Sequence, residues 1–379
     1  MDDKSTKPAW TPDDASDAFA GRVLPGVVGG HDGLVSQKDK PVRDAKRPFL
    51  RPRLSEQDYA AGVLSGDRVI LARTITLIES NAPRHFDQAQ GVLRQLLPHT
   101  GNALRIGISG VPGAGKSSLI ETLGVKLVEM GHQVAVLAVD PTSSITKGSI
   151  LGDKTRMEKL ANLPEAFIRP SPTGGMLGGV ARKTRESMLV CEAAGFDVIL
   201  IETVGTGQSE ITVRSMVDFF LLVLITGAGD ELQGIKKGVV EIADAILINK
   251  ADGENKIRAQ SARAEYNRAL HYLTPATAGW RTRAYTGSAV SGEGIDNIWS
   301  VIQAFQEKTN ASGVFQARRR EQTKAWLHTL IEEQLHTYFY SQPVVKEQLP
   351  LIEKAVMLGD LPATAAARQI VHLLWPDVN

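Results

Sequence analysis

Eight consecutive residues, Gly110-Val-Pro-Gly-Ala-Gly-Lys-Ser117, set glycines, one ammonium and one hydroxyl at the spacing G-x-x-x-x-G-K-[ST]. Glycines let a backbone turn its N–H groups inward around phosphate oxygens, while the lysine reaches the β- and γ-phosphates and the hydroxyl faces magnesium. The chemistry is that of a nucleoside triphosphate site, with Gly113, Ala114, Gly115, Lys116, Ser117 and Ser118 expected around the phosphates. An apolar run, Leu104 to Ile108, precedes the loop and a periodic segment, Ser118 to Met130, follows it, as a strand–loop–helix context requires.

A second string reads the base. Asn249-Lys250-Ala251-Asp252 has the form N-K-x-D at the end of an apolar run, and its carboxylate can accept from both N1–H and the 2-amino group of guanine. Adenine offers neither donor, so binding it would leave the carboxylate short of partners at roughly 1–3 kcal/mol each. Asn249, Lys250 and Asp252 are therefore expected at a guanine nucleotide, joined by Ser288 and Ala289 of Gly287-Ser-Ala289, where a backbone N–H can bond the guanine carbonyl.

Magnesium keeps octahedral oxygen ligands and needs carboxylates near Ser117. Asp140, Asp153 and Glu202 stand at or just beyond strand ends and complete the expected metal set with Ser117; each also has the plainer reading of a helix cap or surface charge. Glu202-Thr-Val-Gly-Thr-Gly-Gln208 resembles a D-x-x-G switch with Glu for Asp, in which Gly205 would offer an N–H to the γ-phosphate. Lys116, Asp153 and Glu202 are the expected catalytic residues, and no general base is singled out. Two further glycine-rich loops, Ser171 to Gly179 and Gly227 to Lys237, carry or precede charged groups suited to anions or a partner.

These residues need a scaffold that brings distant loops to one edge. Between Leu104 and Phe305 short apolar runs alternate with helical segments, the pattern of an α/β domain whose mostly parallel sheet has helices on both faces. The expected strands are Leu104–Ser109, Gln133–Val139, Ala166–Arg169, Phe196–Glu202, Phe219–Ile225, Ala245–Asn249 and Thr282–Tyr285, with functional loops at their carboxyl ends. Residues 1–53 read as a mobile arm, 54–100 as a helical preface, 101–309 as the nucleotide domain and 310–379 as a helical C-terminal arm and tail. In that arm Leu327, Leu330, Ile331, Leu335 and Tyr338 form one apolar stripe, to be buried against the core or a second subunit.

Composition narrows the partners. Lys plus Arg total 43 against 42 for Asp plus Glu, so the net charge of +1 creates no field to draw in nucleic acid or an anionic membrane. No run is long enough to span a bilayer and the N-terminus lacks a secretory pattern, which makes the cytoplasm the expected compartment. The single cysteine, Cys191, forms no intrachain disulfide and falls in an apolar helical stretch where burial is expected.

Together, Gly110 to Ser117, Asp140-Pro-Thr-Ser-Ser144, Glu202 to Gln208, Gly229-Asp-Glu-Leu-Gln-Gly-Ile-Lys-Lys-Gly238 and Asn249 to Asp252 resemble the MeaB/ArgK family of G proteins over about residues 55–340. The resemblance implies a SIMIBI-type P-loop G domain and a GTPase that uses magnesium. It also implies a chaperone gating adenosylcobalamin delivery to an acyl-CoA mutase, chiefly methylmalonyl-CoA mutase, with a cobalamin adenosyltransferase as a further partner. It makes Asp230, Gln233 and Lys236 the switch that couples nucleotide state to the mutase, and the C-terminal arm a homodimer surface. Older family naming supplies the alternative, an ATP-dependent kinase of a lysine/arginine/ornithine transport system, against which Asp252 speaks. A nickel metallochaperone would need clustered soft or imidazole ligands, and Cys191 with dispersed histidines does not provide them. The first 53 residues and the proline-bearing tail from Gln342 onward depart from the family pattern.

Overall fold

Continuous apolar runs make strands that are buried on both faces, and seven of them form one parallel sheet. The computed structural model describes residues 54–140, 157–172, 177–203, 209–226 and 237–375. Asp153, Gly205, Asp230, Gln233, Lys236 and the first 53 residues lie outside the described residues, as does the side chain of Asp140.

The strands are β1 (Leu104–Gly110), β2 (Val134–Asp140), β3 (Ala166–Pro172), β4 (Val198–Thr203), β5 (Phe219–Leu224), β6 (Ala245–Ile248) and β7 (Ala284–Thr286), in the order β3-β2-β4-β1-β5-β6-β7. Every pairing is parallel. β1 is central: Ile108 is level with Glu202 on β4, and Gly110 with Val223 on β5. The loops after β1, β4, β5, β6 and β7 therefore share the carboxyl edge.

Alternate residues feed two cores. On one face Ile106, Ile108, Leu200, Leu221 and Leu247 meet the helices Lys116–Glu129 and Ile295–Ala311, through Leu119, Leu123, Ile298 and Ile302. On the other, Ile199, Ile201, Phe220 and Ile246 meet α1 (Glu56–Leu64), α2 (Arg68–Glu79), α3 (Pro83–Leu96) and a helix over Leu177–Ala193. The three N-terminal helices start where side chains satisfy the first backbone donors or none is needed. Ser55 and Asp58 form a reciprocal capping box, Asp67 accepts from Val69 and Ile70, and Pro83 opens α3. Following chain order, α4 is Lys116–Glu129, α5 Glu158–Ala161, α6 Leu177–Ala193, α7 Ser209–Arg214, α8 Lys237–Glu241, α9 Asn255–Leu270 and α10 Ile295–Ala311. Cys191 of α6 is fully buried, and burial pushes its thiol far above the ordinary range.

α11 (Val314–Ser341) is long and buries only Phe315. Its stripe lies open in the single chain: Leu327, Ile331, Leu335 and Tyr338 are 46–58% exposed. α12 (Pro343–Leu358) and α13 (Ala363–His372) pack on each other through Val345, Ile352, Ala366 and Ile370, with Phe339 of α11 against the cluster. Among the described residues no helix is long and apolar enough to cross a membrane.

Candidate nucleotide site

The loop between β1 and α4 is shaped by its glycines. Gly110 has φ 152°, and a Cβ there would lie 2.0 Å from the Val223 carbonyl oxygen. Gly113 and Gly115 take φ of 78° and 83°, the left-handed region that side chains disfavour. Gly115 caps α4 without a side-chain acceptor, so the first N–H groups of the helix face the loop, the arrangement that receives anions. Ala114 is buried beneath the loop and Ser118 is exposed at its rim.

Lys116 folds back over this loop. Its ammonium donates to the carbonyl oxygens of Gly110 at 2.9 Å and Val111 at 3.2 Å. Burial lowers its pKa from the ordinary value, against the pull of the carboxylates of Glu202 and Glu210. The Ser117 hydroxyl donates to Glu202 Oε1 at 2.7 Å, so the strand pairing of β1 with β4 brings the two predicted metal-side oxygens together. Asp140 ends β2, the neighbour of β4, at the same edge. Below them the buried hydroxyls of Thr203 and Ser109 bond at 2.8 Å, tying the ends of β4 and β1.

The base side is one braced unit. Asn249 is 1% exposed. Its amide nitrogen donates to the Ala114 carbonyl at 2.7 Å, and its Oδ1 accepts from the Ala289 N–H at 3.1 Å. Asn249 thus links the phosphate loop to the loop after β7, and Gly115 keeps it there because a Cβ would lie 2.7 Å from its Nδ2. Lys250 takes φ 58°, and its stem passes over Gly115. Asp252 accepts from the Ser288 hydroxyl, whose oxygen in turn accepts from the Ser291 N–H at 3.2 Å. The N–H groups of Gly287, Ser288 and Ala289 are each engaged within the chain, by Ile248, Glu293 and Asn249. The donor expected for the guanine carbonyl is therefore occupied in this arrangement.

A protein-family profile described as methylmalonyl Co-A mutase-associated GTPase MeaB matches residues 71–343. The chain belongs to the MeaB family. It is 52% identical to a Caulobacter vibrioides protein described as a GTPase, across 84% of this chain and 98% of that one. It is 49% identical to the Escherichia coli GTPase ArgK, across 73% and 83%. A mouse relative named methylmalonic aciduria type A homolog, mitochondrial, is 46% identical over 81% of this chain and 76% of its own length. A crystal structure described as LAO/AO transport system kinase superposes with a TM-score of 0.69 at 38% identity, covering 84% of this chain and 97% of that one. As in the rest of this MeaB-family fold, the phosphate loop sits at the carboxyl edge of a P-loop NTPase sheet.

Three contributors escape motif reading. Glu210, buried at the second position of α7, lies near enough to Lys116 to bear on its charge. Thr122 donates to the Ala289 carbonyl at 2.6 Å, binding the base-side loop to α4. Asn255 donates to the Lys250 carbonyl at 2.7 Å and holds the turn in which Lys250 is left-handed. The last had a signal in the sequence, because Asn at a helix start favours turn hydrogen bonding.

Proposed function

We propose that the chain hydrolyses GTP to GDP and phosphate and, through that cycle, gates adenosylcobalamin delivery to a methylmalonyl-CoA-type mutase and protects it. The observation that carries the nucleotide choice is the Asp252 carboxylate, aimed by Ser288 and joined to the phosphate loop through the Asn249 brace. The family match over residues 71–343 supports the mutase as partner. In this reading Gly113, Ala114, Gly115, Lys116, Ser117 and Ser118 surround the phosphates, and Asn249, Lys250, Asp252, Ser288 and Ala289 hold the guanosine end.

The donor set suits magnesium. A hydroxyl and a carboxylate 2.7 Å apart, Ser117 and Glu202, are hard oxygens at the end of a phosphate loop, and Asp140 ends the adjacent strand. Ser117, Glu202 and Asp140, with Asp153 as a further carboxylate, would hold magnesium, which would neutralise phosphate charge there. Lys116 leaves the Gly110 and Val111 carbonyls for the phosphate oxygens. Its ammonium charge, favoured by Glu202 and Glu210, then offsets charge on the transferring phosphoryl group. Gly205 offers an N–H to the γ-phosphate, and Asp230, Gln233 and Lys236 pass nucleotide state to the mutase. The exposed stripe of α11 pairs two copies into a homodimer, with a cobalamin adenosyltransferase as a third component and the cytoplasm as the setting.

The name of the structural relative favours one rival, an ATP-dependent kinase. Competition for bound GDP separates the two: GTP displaces it and ATP does not if Asp252 reads guanine. Equal displacement by ATP would restore the kinase reading.

A further inference from the structure

The loop after β7 is held by two elements, and one of them is the phosphate-loop helix. Thr122, in the second turn of α4, donates its hydroxyl to the Ala289 carbonyl at 2.6 Å. One turn further along, Lys126 meets both carboxylate oxygens of Asp296, in the first turn of α10, at 2.6 Å. Residues four apart share a helix face, so both holds leave α4 on one side. From the end of β6, Asn249 Oδ1 accepts from the Ala289 N–H at 3.1 Å and Asp252 accepts from the Ser288 hydroxyl. Ala289 is thus pinned at its N–H and at its carbonyl.

That pinning singles out the next donor along the chain. The N–H groups of Gly287, Ser288 and Ala289 go to Ile248, Glu293 and Asn249, and that of Ser291 goes to the Ser288 hydroxyl. Among the described residues none accepts from the N–H of Val290. The Ala289 carbonyl and the Val290 N–H belong to one planar trans peptide unit, in which the two groups point in opposite directions. With the carbonyl turned onto α4 by Thr122, the N–H is turned away from that helix. On guanine the six-position carbonyl adjoins N1. If Asp252 takes N1–H and the 2-amino group, the donor for that carbonyl must stand beside Asp252, and the Ser288 bond fixes this loop there.

We propose that Thr122 is a positioning residue for base selection: its hold on the Ala289 carbonyl aims the Val290 N–H at the six-position carbonyl of guanine. The proposal rests on the reading of Asp252 as the carboxylate that meets the base. Adenine carries an amino group at the six position, so the aimed donor would face another donor and add to the discrimination against it.

The test compares the full chain's dissociation constants for GDP and for 6-thio-GDP, which keeps N1–H and the 2-amino group but puts sulfur, a weak acceptor, in place of the carbonyl oxygen. The parent should bind GDP about tenfold more tightly than 6-thio-GDP. Thr122→Val keeps the branched shape without the hydroxyl; it should weaken GDP about fivefold and 6-thio-GDP by less than about twofold, so that the preference collapses. Thr122→Ser keeps the hydroxyl and should retain the preference. If valine lowers the urea midpoint, Thr122→Ala, which asks no methyl to fit in the place of the hydroxyl, repeats the measurement. Equal weakening of both nucleotides would make the hydroxyl a structural tie only and overturn the proposal, as would an unchanged preference in the variant or none in the parent. If Asp252→Asn leaves GDP affinity intact, the reading of the site itself fails and the proposal falls with it.

Discussion

The two edges of the sheet use polar groups in opposite ways. At the amino edge, buried carboxylates are neutralised by partly buried guanidiniums: Asp218 holds Arg319 in a two-pronged pair, Asp244 faces Arg214 and Arg318, and Glu192 binds Arg105 at 2.6 Å. At the carboxyl edge the same chain leaves a helix N-terminus uncapped, folds a lysine onto two backbone carbonyls and places a serine hydroxyl on a carboxylate. The first arrangement is complete without a ligand. The second holds its polar groups with internal partners, which phosphate, metal and base would replace in the proposed function. Burial therefore does not by itself separate structural from functional charge; what separates them is whether the partners already present cancel the charge.

The contrast breaks most visibly at Asp244. Asp244→Leu leaves two partly buried guanidiniums without their buried carboxylate and should destabilise the chain by about 3–5 kcal/mol, read as a lowered urea midpoint. A loss below about 1 kcal/mol would place this pair with ordinary surface bridges. At the opposite edge Lys116→Met should lower single-turnover GTP hydrolysis by about 10²–10³-fold while the unfolding midpoint holds or rises, since the ammonium is buried against its own preference. Asp252→Asn should weaken GTP binding by about 10- to 100-fold and erode the preference over ATP. Ser288→Ala, which removes only the hydroxyl that aims the carboxylate, should give a smaller loss of the same kind in the same titration.

The smallest effect is a pH dependence. Lys116 has a folded-state pKa below its ordinary 10.5, so between those values the unfolded chain holds more protons and stability rises with pH. Stability profiles of the parent and Lys116→Met should diverge in that alkaline window, the parent gaining relative to the variant as pH rises. Parallel profiles would remove burial as the dominant influence on this lysine.

The seven strands were legible because each is a short apolar run bounded by turns, and their ends shift by only a few residues: the run read as Thr282 to Tyr285 forms β7 at Ala284–Thr286. The phosphate loop was legible because its glycines do work that other residues cannot. Asn249 was legible as a member of the site but not as its brace, since its partners at Ala114 and Ala289 lie far away in sequence. The ionic cluster of the amino edge was invisible for the same reason: Arg319 and Asp218 are 101 positions apart, and isolated charges read as solvated. The tail from Gln342 onward matched no family pattern in the sequence, and its described residues are largely helical. Among the described residues, Pro343 lies in the first turn of α12 and Pro362 just before α13, while Pro350 is accommodated inside α12.

In the proposed function the phosphate site reads guanine and times work on a mutase. The direct measurement is GTP turnover by the full chain, alone and with a cognate adenosylcobalamin-dependent acyl-CoA mutase, with ATP as the parallel substrate. Slow GTP hydrolysis that the mutase accelerates is expected, with little turnover of ATP. Equal GTP turnover with and without the mutase, or equal use of ATP, would contradict it.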